Sequence, residues 1–281
     1  MSPGAGNVIA YSSRYGVLVG SDATTANVSV RGISIHDSGQ FGINLADCTC
    51  GADITPNDPG DSDTGPNGFQ NFPVIASATS SARGTSITGS INSTPNTRFA
   101  IDVYASDEAN PQGNGEGAVF LGMTTAFTDA GGDAEVVGTF PMVAGNVVSA
   151  TAVDPTGNTS EFSESVDVAG AGGVQFGDSV FDAHEGAAVT IHVVRVGGTD
   201  GAVSVGYATA NGSAKAGADY TARSGTLAFA DGQSSRTFTV PILNDTRREP
   251  AETFTVRLSS PAGGAAMGTP TLATVQISAS D

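Results

Sequence analysis

Short apolar runs alternate with glycine-rich turns along the whole chain, and this pattern predicts strands. In the last third, Val189, Ile191 and Val193 alternate with polar positions, and the later apolar runs do the same. A period of two places one face of a strand towards a core. Valine, isoleucine and threonine fill these runs, and no segment has the periodicity of a helix of three turns. We therefore predict an all-β protein.

The spacing of these runs is typical of β-sandwiches. Strands are predicted at 85–91, 98–105, 118–125, 134–140 and 146–154, and seven half-buried strand candidates follow within 174–281. Short strands separated by turn signals favour two sheets packed face to face. The glycine-rich stretch VAGAGG between them predicts a linker. We expect sandwich domains at 64–169 and 174–281.

Residues 1–63 are organised differently, as a repeat. Tyr15-Gly16-Val17 aligns on Phe41-Gly42-Ile43 with a period of 26 residues. Units this short cannot bury an apolar face alone and stack as a solenoid. The repeat resembles the last coils of a right-handed parallel β-helix. The stretch that follows, 51–74, is dense in Pro, Gly, Asn and Asp, which end such a solenoid.

Asp53, Asp58, Asp61 and Asp63 lie in that stretch. They either bind calcium or cap backbone amides in turns. The run from DTGPNGFQNFPV to GNTSEFS resembles an immunoglobulin-like (Ig-like) module that often follows β-helix coils in large bacterial surface proteins. This resemblance implies an architecture rather than an activity.

The net charge of the chain limits which partners it can bind. The chain has 28 acidic and 11 basic residues, a formal net charge of −17. Such a surface repels nucleic acid and anionic membranes and attracts divalent cations, although acidity also keeps a strand-rich protein soluble. Cys48 and Cys50 are too close for an unstrained disulfide and too few for a structural zinc site. No run of about 18 apolar residues occurs, so we predict no membrane span in this chain.

The most specific motifs lie in the last domain. They are EGAAVTIHVVR at 185–195, AGADY at 216–220 and EPAETFTVRLSSP at 249–261. At this spacing they resemble the Calx-β family over nearly its whole length. That family is an immunoglobulin-like sandwich of sodium–calcium exchangers, integrin β4 and many bacterial surface proteins. Some of its members bind calcium at one end of the sandwich, and others do not.

The resemblance implies a set of acidic metal ligands on the loops at one end. They are Glu185, Asp219, Asp245, Glu249, Glu252 and Asp281. Strong binders have consecutive acids where this chain has Asn244 and Thr246 around Asp245, and Arg247 and Arg248 lie beside them. We therefore expect one weak Ca²⁺ site, with a dissociation constant of about 10⁻⁴ to 10⁻³ M. Alternatively, these acids cap amides or pair with arginine.

No enzymatic motif is present. His36, His184 and His192 do not form a His-Glu-x-x-His motif, and the chain has no Gly-x-Ser-x-Gly elbow. We expect a non-enzymatic extracellular or cell-surface module for adhesion or surface display, with a surface protein or a glycan as partner. The chain resembles a monomeric fragment of a larger protein. Alternatively, it is the C-terminal accessory region of a β-helix carbohydrate-active enzyme whose catalytic coils are missing here, or a ligand-free spacer.

Overall fold

The computed structural model describes residues 6–20, 24–46, 54–81, 84–141, 145–244 and 248–279. The chain divides into two compact units, Met1–Val168 and Ala169–Asp281. Strands and turns make up the described residues, apart from one 3-10 helix at Pro66–Phe69. The all-β prediction is confirmed. Among the described residues, no helix has the length and apolar character to cross a membrane.

The first unit begins with two parallel strand pairs. Strand β1 (Val8–Ala10) pairs with β3 (Ser34–His36), and β2 (Val17–Gly20) pairs with β4 (Ile43–Ala46). Val8 faces Ser34 and Val17 faces Ile43, so both pairs have the 26-residue offset of the sequence repeat. The rings of Tyr15 and Phe41, one repeat apart, stack with centroids 6.4 Å apart. A complete parallel β-helix stays a prediction.

A seven-stranded sheet forms the rest of this unit, in the spatial order β8-β7-β10-β11-β5-β6-β9. Its strands are β5 (Val74–Ser81), β6 (Gly84–Asn92), β7 (Arg98–Ser106), β8 (Val119–Phe127), β9 (Asp133–Phe140), β10 (Val147–Val153) and β11 (Val166–Ala169). Thr124 Oγ1 on one edge strand donates to Val137 O on the other at 2.9 Å, so the sheet curls until its edges meet. The predicted strands lie within two residues of β6 to β10. The Ig-like assignment and the division at residue 63 stay predictions.

Charged side chains join the parallel pairs to the sheet. Asp102, which is 1% exposed, accepts from Arg31 Nε at 2.9 Å and from Arg31 Nη2 at 2.6 Å. Glu161, also 1% exposed, accepts from the backbone N–H of Leu45 at 2.9 Å and of Thr55 at 2.8 Å. Both contacts lie beside an apolar core to which β2 to β4 and the sheet contribute side chains. The first unit is therefore held together by hydrogen bonds to buried acidic side chains as well as by apolar packing.

The second unit is a two-sheet sandwich. Its strands are β12 (Gly173–Phe176), β13 (Val180–Ala183), β14 (Ala188–Val196), β15 (Val203–Asn211), β16 (Ser224–Phe229), β17 (Ser235–Pro241), β18 (Glu252–Ala262), β19 (Ala266–Met267) and β20 (Leu272–Ile277). One sheet has the order β17-β14-β12-β19 and the other β13-β20-β18-β15-β16. The run 174–183, predicted as one strand, is divided between the two sheets as β12 and β13.

Alternation along the strands builds the core between these sheets. Val189, Ile191 and Val193 are buried, as predicted, while His192 between them is exposed. Arg195, the second-last residue of the same strand, is 2% exposed. Its guanidinium donates to Ala171 O and Gly201 O, each at 2.9 Å, and to Asp200 O at 2.6 Å. Burial lowers the pKa of Arg195, and the surrounding carbonyls compensate its charge.

Candidate metal centre

Three connections of the second unit meet at one end of the sandwich. They are the β13–β14 turn, the β15–β16 connection and the β17–β18 connection. Ile242 N donates to Ala187 O at 2.8 Å, and Leu243 N donates to Asp219 O at 2.9 Å. Ser278 N, just after β20, donates to Ala183 O at 3.0 Å. Backbone hydrogen bonds thus hold the segments that carry the candidate ligands side by side.

The motif AGADY fixes the position of Asp219. Asp219 Oδ2 accepts from Lys215 N at 2.6 Å, and Asp219 N donates to Lys215 O at 2.9 Å, which closes a tight turn. The next residue, Tyr220, is 1% exposed and stacks on Phe254 with ring centroids 4.0 Å apart. Since Phe254 lies two residues after Glu252, this buried stack sets the position of Asp219 relative to Glu252.

Asp219, Glu249 and Glu252 form a carboxylate cluster. One oxygen from each lies within 4.8 Å of the others, and all three residues are half-buried. The pKa of Glu252 is raised, first by burial, then by the charge of Asp219 and a hydrogen bond with it, and further by the charge of Glu249. Like charges at this distance repel one another. A divalent cation among these oxygens would remove that repulsion, so the residues present fit a cation.

The other predicted ligands lie outside this cluster or outside the described residues. Glu185 is half-buried in the β13–β14 turn and does not belong to the group of three. A β-carbon at the neighbouring Gly186 would lie 3.5 Å from Asn244 Cβ, so this turn lies beside the residue that precedes Asp245. Asp245 and Asp281 lie outside the described residues, as does Arg247. Arg248 is exposed.

Lys215 is a member of the site that the sequence analysis missed. It is the only lysine of the chain, and its position four residues before Asp219 is the signal that could have revealed it. Its Nζ donates to Gly212 O at 2.6 Å, and its charge lowers the pKa of Glu252. Ca²⁺ needs six to eight oxygens, and three carboxylates offer two each. With Asp219 Oδ2 already bonded to an amide and an ammonium group nearby, the geometry favours weak cation binding.

A second group of acids lies in the first unit. Asp58, Asp61 and Asp63 also bring one carboxylate oxygen each within 4.8 Å, whereas Asp53 lies outside the described residues. Asp61 Oδ2 accepts from Ser93 Oγ at 2.6 Å and from Gln70 Nε2 at 2.8 Å, and Asp58 Oδ2 accepts from Ser62 Oγ at 2.6 Å. Burial raises the pKa of both Asp61 and Asp63. Protein donors thus already occupy much of the hydrogen-bonding capacity of Asp58 and Asp61.

The fold of the second unit and its carboxylate cluster of Asp219, Glu249 and Glu252 define a β-sandwich module with a candidate cation site at one end. Residues 167–281 match the family model described as "Calx-beta domain". The sodium/calcium exchanger Calx of Drosophila melanogaster is 37% identical over 87 residues, which are 31% of this chain and 9% of that protein. Adhesion G-protein coupled receptor V1 of Danio rerio is 37% identical over 93 residues, 33% of this chain and 2% of the receptor. This chain therefore spans less than a tenth of the length of these relatives.

Two solved structures each cover more than a third of this chain. The apo-form Calx CBD1 domain is 32% identical with a TM-score of 0.37, covering 38% of this chain and 96% of that domain. The Calx CBD2 domain is 25% identical with a TM-score of 0.37, and the match covers 39% of this chain and 87% of that domain. The family model and the curated relatives support a Calx-beta domain at residues 167–281 and a non-enzymatic module there.

Proposed function

We propose that the second unit is a Ca²⁺-binding module of a protein that acts in adhesion or surface display. The observation that carries the proposal is the convergence of Asp219, Glu249 and Glu252 at one end of the sandwich. The pKa of Glu252 is raised first by burial and then by the charges of Asp219 and Glu249, and the contribution of these charges supports the proposal. We assign the ligand role to these three residues, and to Asp245 and Asp281 as further ligands from the adjoining segments.

Calcium acts here by joining two connections to the core. Without the ion, the carboxylates of the β15–β16 and β17–β18 connections repel one another. With it, the repulsion becomes attraction, and the loops are ordered against Glu252, the first residue of β18. With a dissociation constant of about 10⁻⁴ to 10⁻³ M, 10 mM Ca²⁺ stabilises the folded unit by about 1.4 to 2.7 kcal/mol.

Two facts support the surface location. The Danio rerio relative is by name an adhesion receptor, and the net charge of −17 suits a module that meets calcium at high concentration. In that setting a site of low affinity is filled by mass action. The partner that we propose is a surface protein or a glycan.

Calorimetric titration of Ca²⁺ into the full chain tests the site. We expect one weak binding event in the second unit that Glu252→Gln and Asp219→Asn each abolish. Asn at 219 keeps an oxygen for Lys215 N, so this variant removes the charge without removing the turn. The matched control is Asp178→Asn, an exposed acid of the same unit outside the cluster. Equal binding by the control and both site variants would refute the proposed ligands.

A ligand-free spacer is the second candidate function, and Lys215 favours it. Its ammonium group already supplies positive charge near the cluster. The variant Lys215→Met separates the two candidates. If the site binds calcium, the variant binds Ca²⁺ more tightly than the natural chain, because a competing charge is gone. If Lys215 itself neutralises the carboxylates in place of a metal ion, the variant is less stable than the natural chain, and calcium does not restore its stability.

A further inference from the structure

The two parallel strand pairs form two turns of the repeat, a first turn with β1 and β2 and a second turn with β3 and β4. In the second turn, Ile35 and Ile43 are 0% and 1% exposed. Their counterparts in the first turn, Ile9 and Val17, are only partly buried against the same core. The first turn therefore leaves part of this apolar core uncovered.

The seven-stranded sheet and its connections cover the second turn. Ile35 N donates to Gly117 O at 2.8 Å, and Gly117 N donates to Ile35 O at 2.9 Å. Leu45 N donates to the buried carboxylate of Glu161 at 2.9 Å. These backbone groups of β3 and β4, which face away from the first turn, thus already have hydrogen-bond partners. The sheet and the first turn lie on opposite sides of the second turn.

The backbone groups of β1 that face away from β3 are not paired with a strand. Ser34 N donates to Asn7 O at 2.9 Å, so Asn7 and Ile9 direct their backbone groups towards β3. Consecutive residues of a strand direct these groups to opposite sides. Val8 and Ala10 therefore direct their N–H and C=O groups away from β3. Within the described part of the chain, β1 pairs with β3 alone, so no second strand meets these four groups.

This edge lacks the features that prevent a strand from pairing with another chain. Edge strands usually carry charges, prolines or bulges for this purpose. Residues 7–11 contain no charge and no proline, and β1 pairs with β3 without a bulge. Val8 is 67% exposed and Tyr11 is 81% exposed. Arg14 is the only charged residue within 6–20, although the chain has a net charge of −17. Two copies of this acidic chain can therefore approach each other here without acids facing acids.

The spacing of the unpaired groups along β1 is self-complementary. A two-fold axis perpendicular to the sheet, at the level of Ile9, would place a second copy of β1 antiparallel to the first. Val8 of each copy would then lie opposite Ala10 of the other, and each such pair would exchange two backbone hydrogen bonds. The two Ile9 residues, one from each copy, would lie between these pairs and extend the cover of the core. A two-fold interface of this kind is closed after two copies.

We propose that two copies of the chain pair through β1. The pairing joins two β1–β3 pairs into one four-stranded sheet with the order β3-β1-β1-β3. Because the sheet of each copy lies beyond its second turn, it does not obstruct this contact. The inference replaces the monomer that was expected from the sequence. It goes beyond the proposed calcium binding and does not depend on it.

Sedimentation equilibrium of the full chain in EDTA tests the inference, at concentrations up to about 500 µM because a small interface associates weakly. We expect the mean mass to rise with concentration towards twice that of the monomer and no further. Ala10→Pro removes an N–H that faces the second copy and none that faces β3, so the fold is kept. Two of the four hydrogen bonds between the copies are then lost, and we expect the dissociation constant to rise about ten- to thirtyfold.

Val8→Glu brings one additional negative charge from each copy to the shared strands, and it should also weaken dimerisation. Val180→Glu is the matched control, because Val180 is a 46% exposed valine on β13 and its replacement changes the net charge equally. This control is expected to dimerise like the natural chain.

Four results would overturn the inference. The natural chain stays monomeric at every concentration, it grows beyond a dimer, neither edge variant weakens dimerisation, or Val180→Glu weakens it as much as Val8→Glu. Since Val8 is exposed, its variant keeps the fold even if Ala10→Pro does not. Because calcium is absent, failure here is distinguishable from failure of the metal site.

Discussion

Glu161 makes the stability of the first unit depend on pH near neutrality. Its carboxylate is 1% exposed, and the hydrogen bonds that it accepts come from two uncharged groups, Leu45 N and Thr55 N. Burial raises the pKa of Glu161 to about 7, and the two backbone hydrogen bonds offset only part of this effect. In the unfolded chain, the carboxyl group titrates near its ordinary value of about 4.3.

The magnitude follows from that difference. One unit of pKa is worth 1.36 kcal/mol, so the change from the unfolded to the folded value corresponds to about 3 to 4 kcal/mol. The folded state holds the proton more tightly, and the stabilisation is therefore fully present below the unfolded pKa. It is lost as the pH rises through the folded pKa. The free energy of unfolding of the first unit should fall by about 3 to 4 kcal/mol between about pH 4 and pH 8 from this residue alone.

Urea unfolding of the natural chain and of Glu161→Gln, from pH 4.5 to pH 8.5, measures this effect. The glutamine cannot ionise, but its amide places a donor against one of the two backbone N–H groups, which costs about 1 to 3 kcal/mol at every pH. The variant should therefore be less stable than the natural chain at low pH and close to it at high pH. Glu135→Gln, an exposed acid on β9, is the control. A parallel pH dependence for Glu161→Gln and the natural chain would refute the reasoning.

Two further predictions concern buried arginine contacts. Arg195→Met leaves the carbonyls of Ala171, Asp200 and Gly201 without their donor. We expect the free energy of unfolding of the second unit, measured in urea, to fall by about 3 kcal/mol. A decrease of less than about 0.5 kcal/mol would contradict this. Arg31→Ala leaves the carboxylate of Asp102 buried and unpaired, and we expect a loss of about 3 to 5 kcal/mol in the first unit. Adding Asp102→Ala should restore part of that loss, and a double variant less stable than Arg31→Ala would contradict the ion-pair explanation.

The strands were largely predictable because alternation records which face meets the core. Val189, Ile191 and Val193 revealed β14, since every second residue of that strand is buried. The division of residues 174–183 was not visible, because it depends on pairing with β19 and β20 far along the chain. Strand β5 was missed because its small side chains, alanine and serine, give little apolar contrast.

The candidate site was only partly predictable. The family motifs identified Asp219 and Glu252, whose proximity follows from the packing of Tyr220 on Phe254. They gave no indication that Lys215 approaches the carboxylates, because loop convergence depends on backbone hydrogen bonds between distant segments. Burial of Glu161 was equally invisible, since one of its partners, Leu45, lies 116 residues away in the sequence.

The central claim is that Asp219, Glu249 and Glu252 hold a calcium ion that stabilises the second unit. Scanning calorimetry of the full chain in 10 mM Ca²⁺ and in EDTA tests it most directly, with Glu252→Gln as the variant and Asp178→Asn as the control. We predict that calcium raises the melting temperature of the second unit by about 5 °C or more in the natural chain and the control. In Glu252→Gln, calcium has no such effect, and stability in EDTA is retained because a repelling charge is gone. A melting temperature that does not respond to calcium, or that rises equally in Glu252→Gln, would contradict the account.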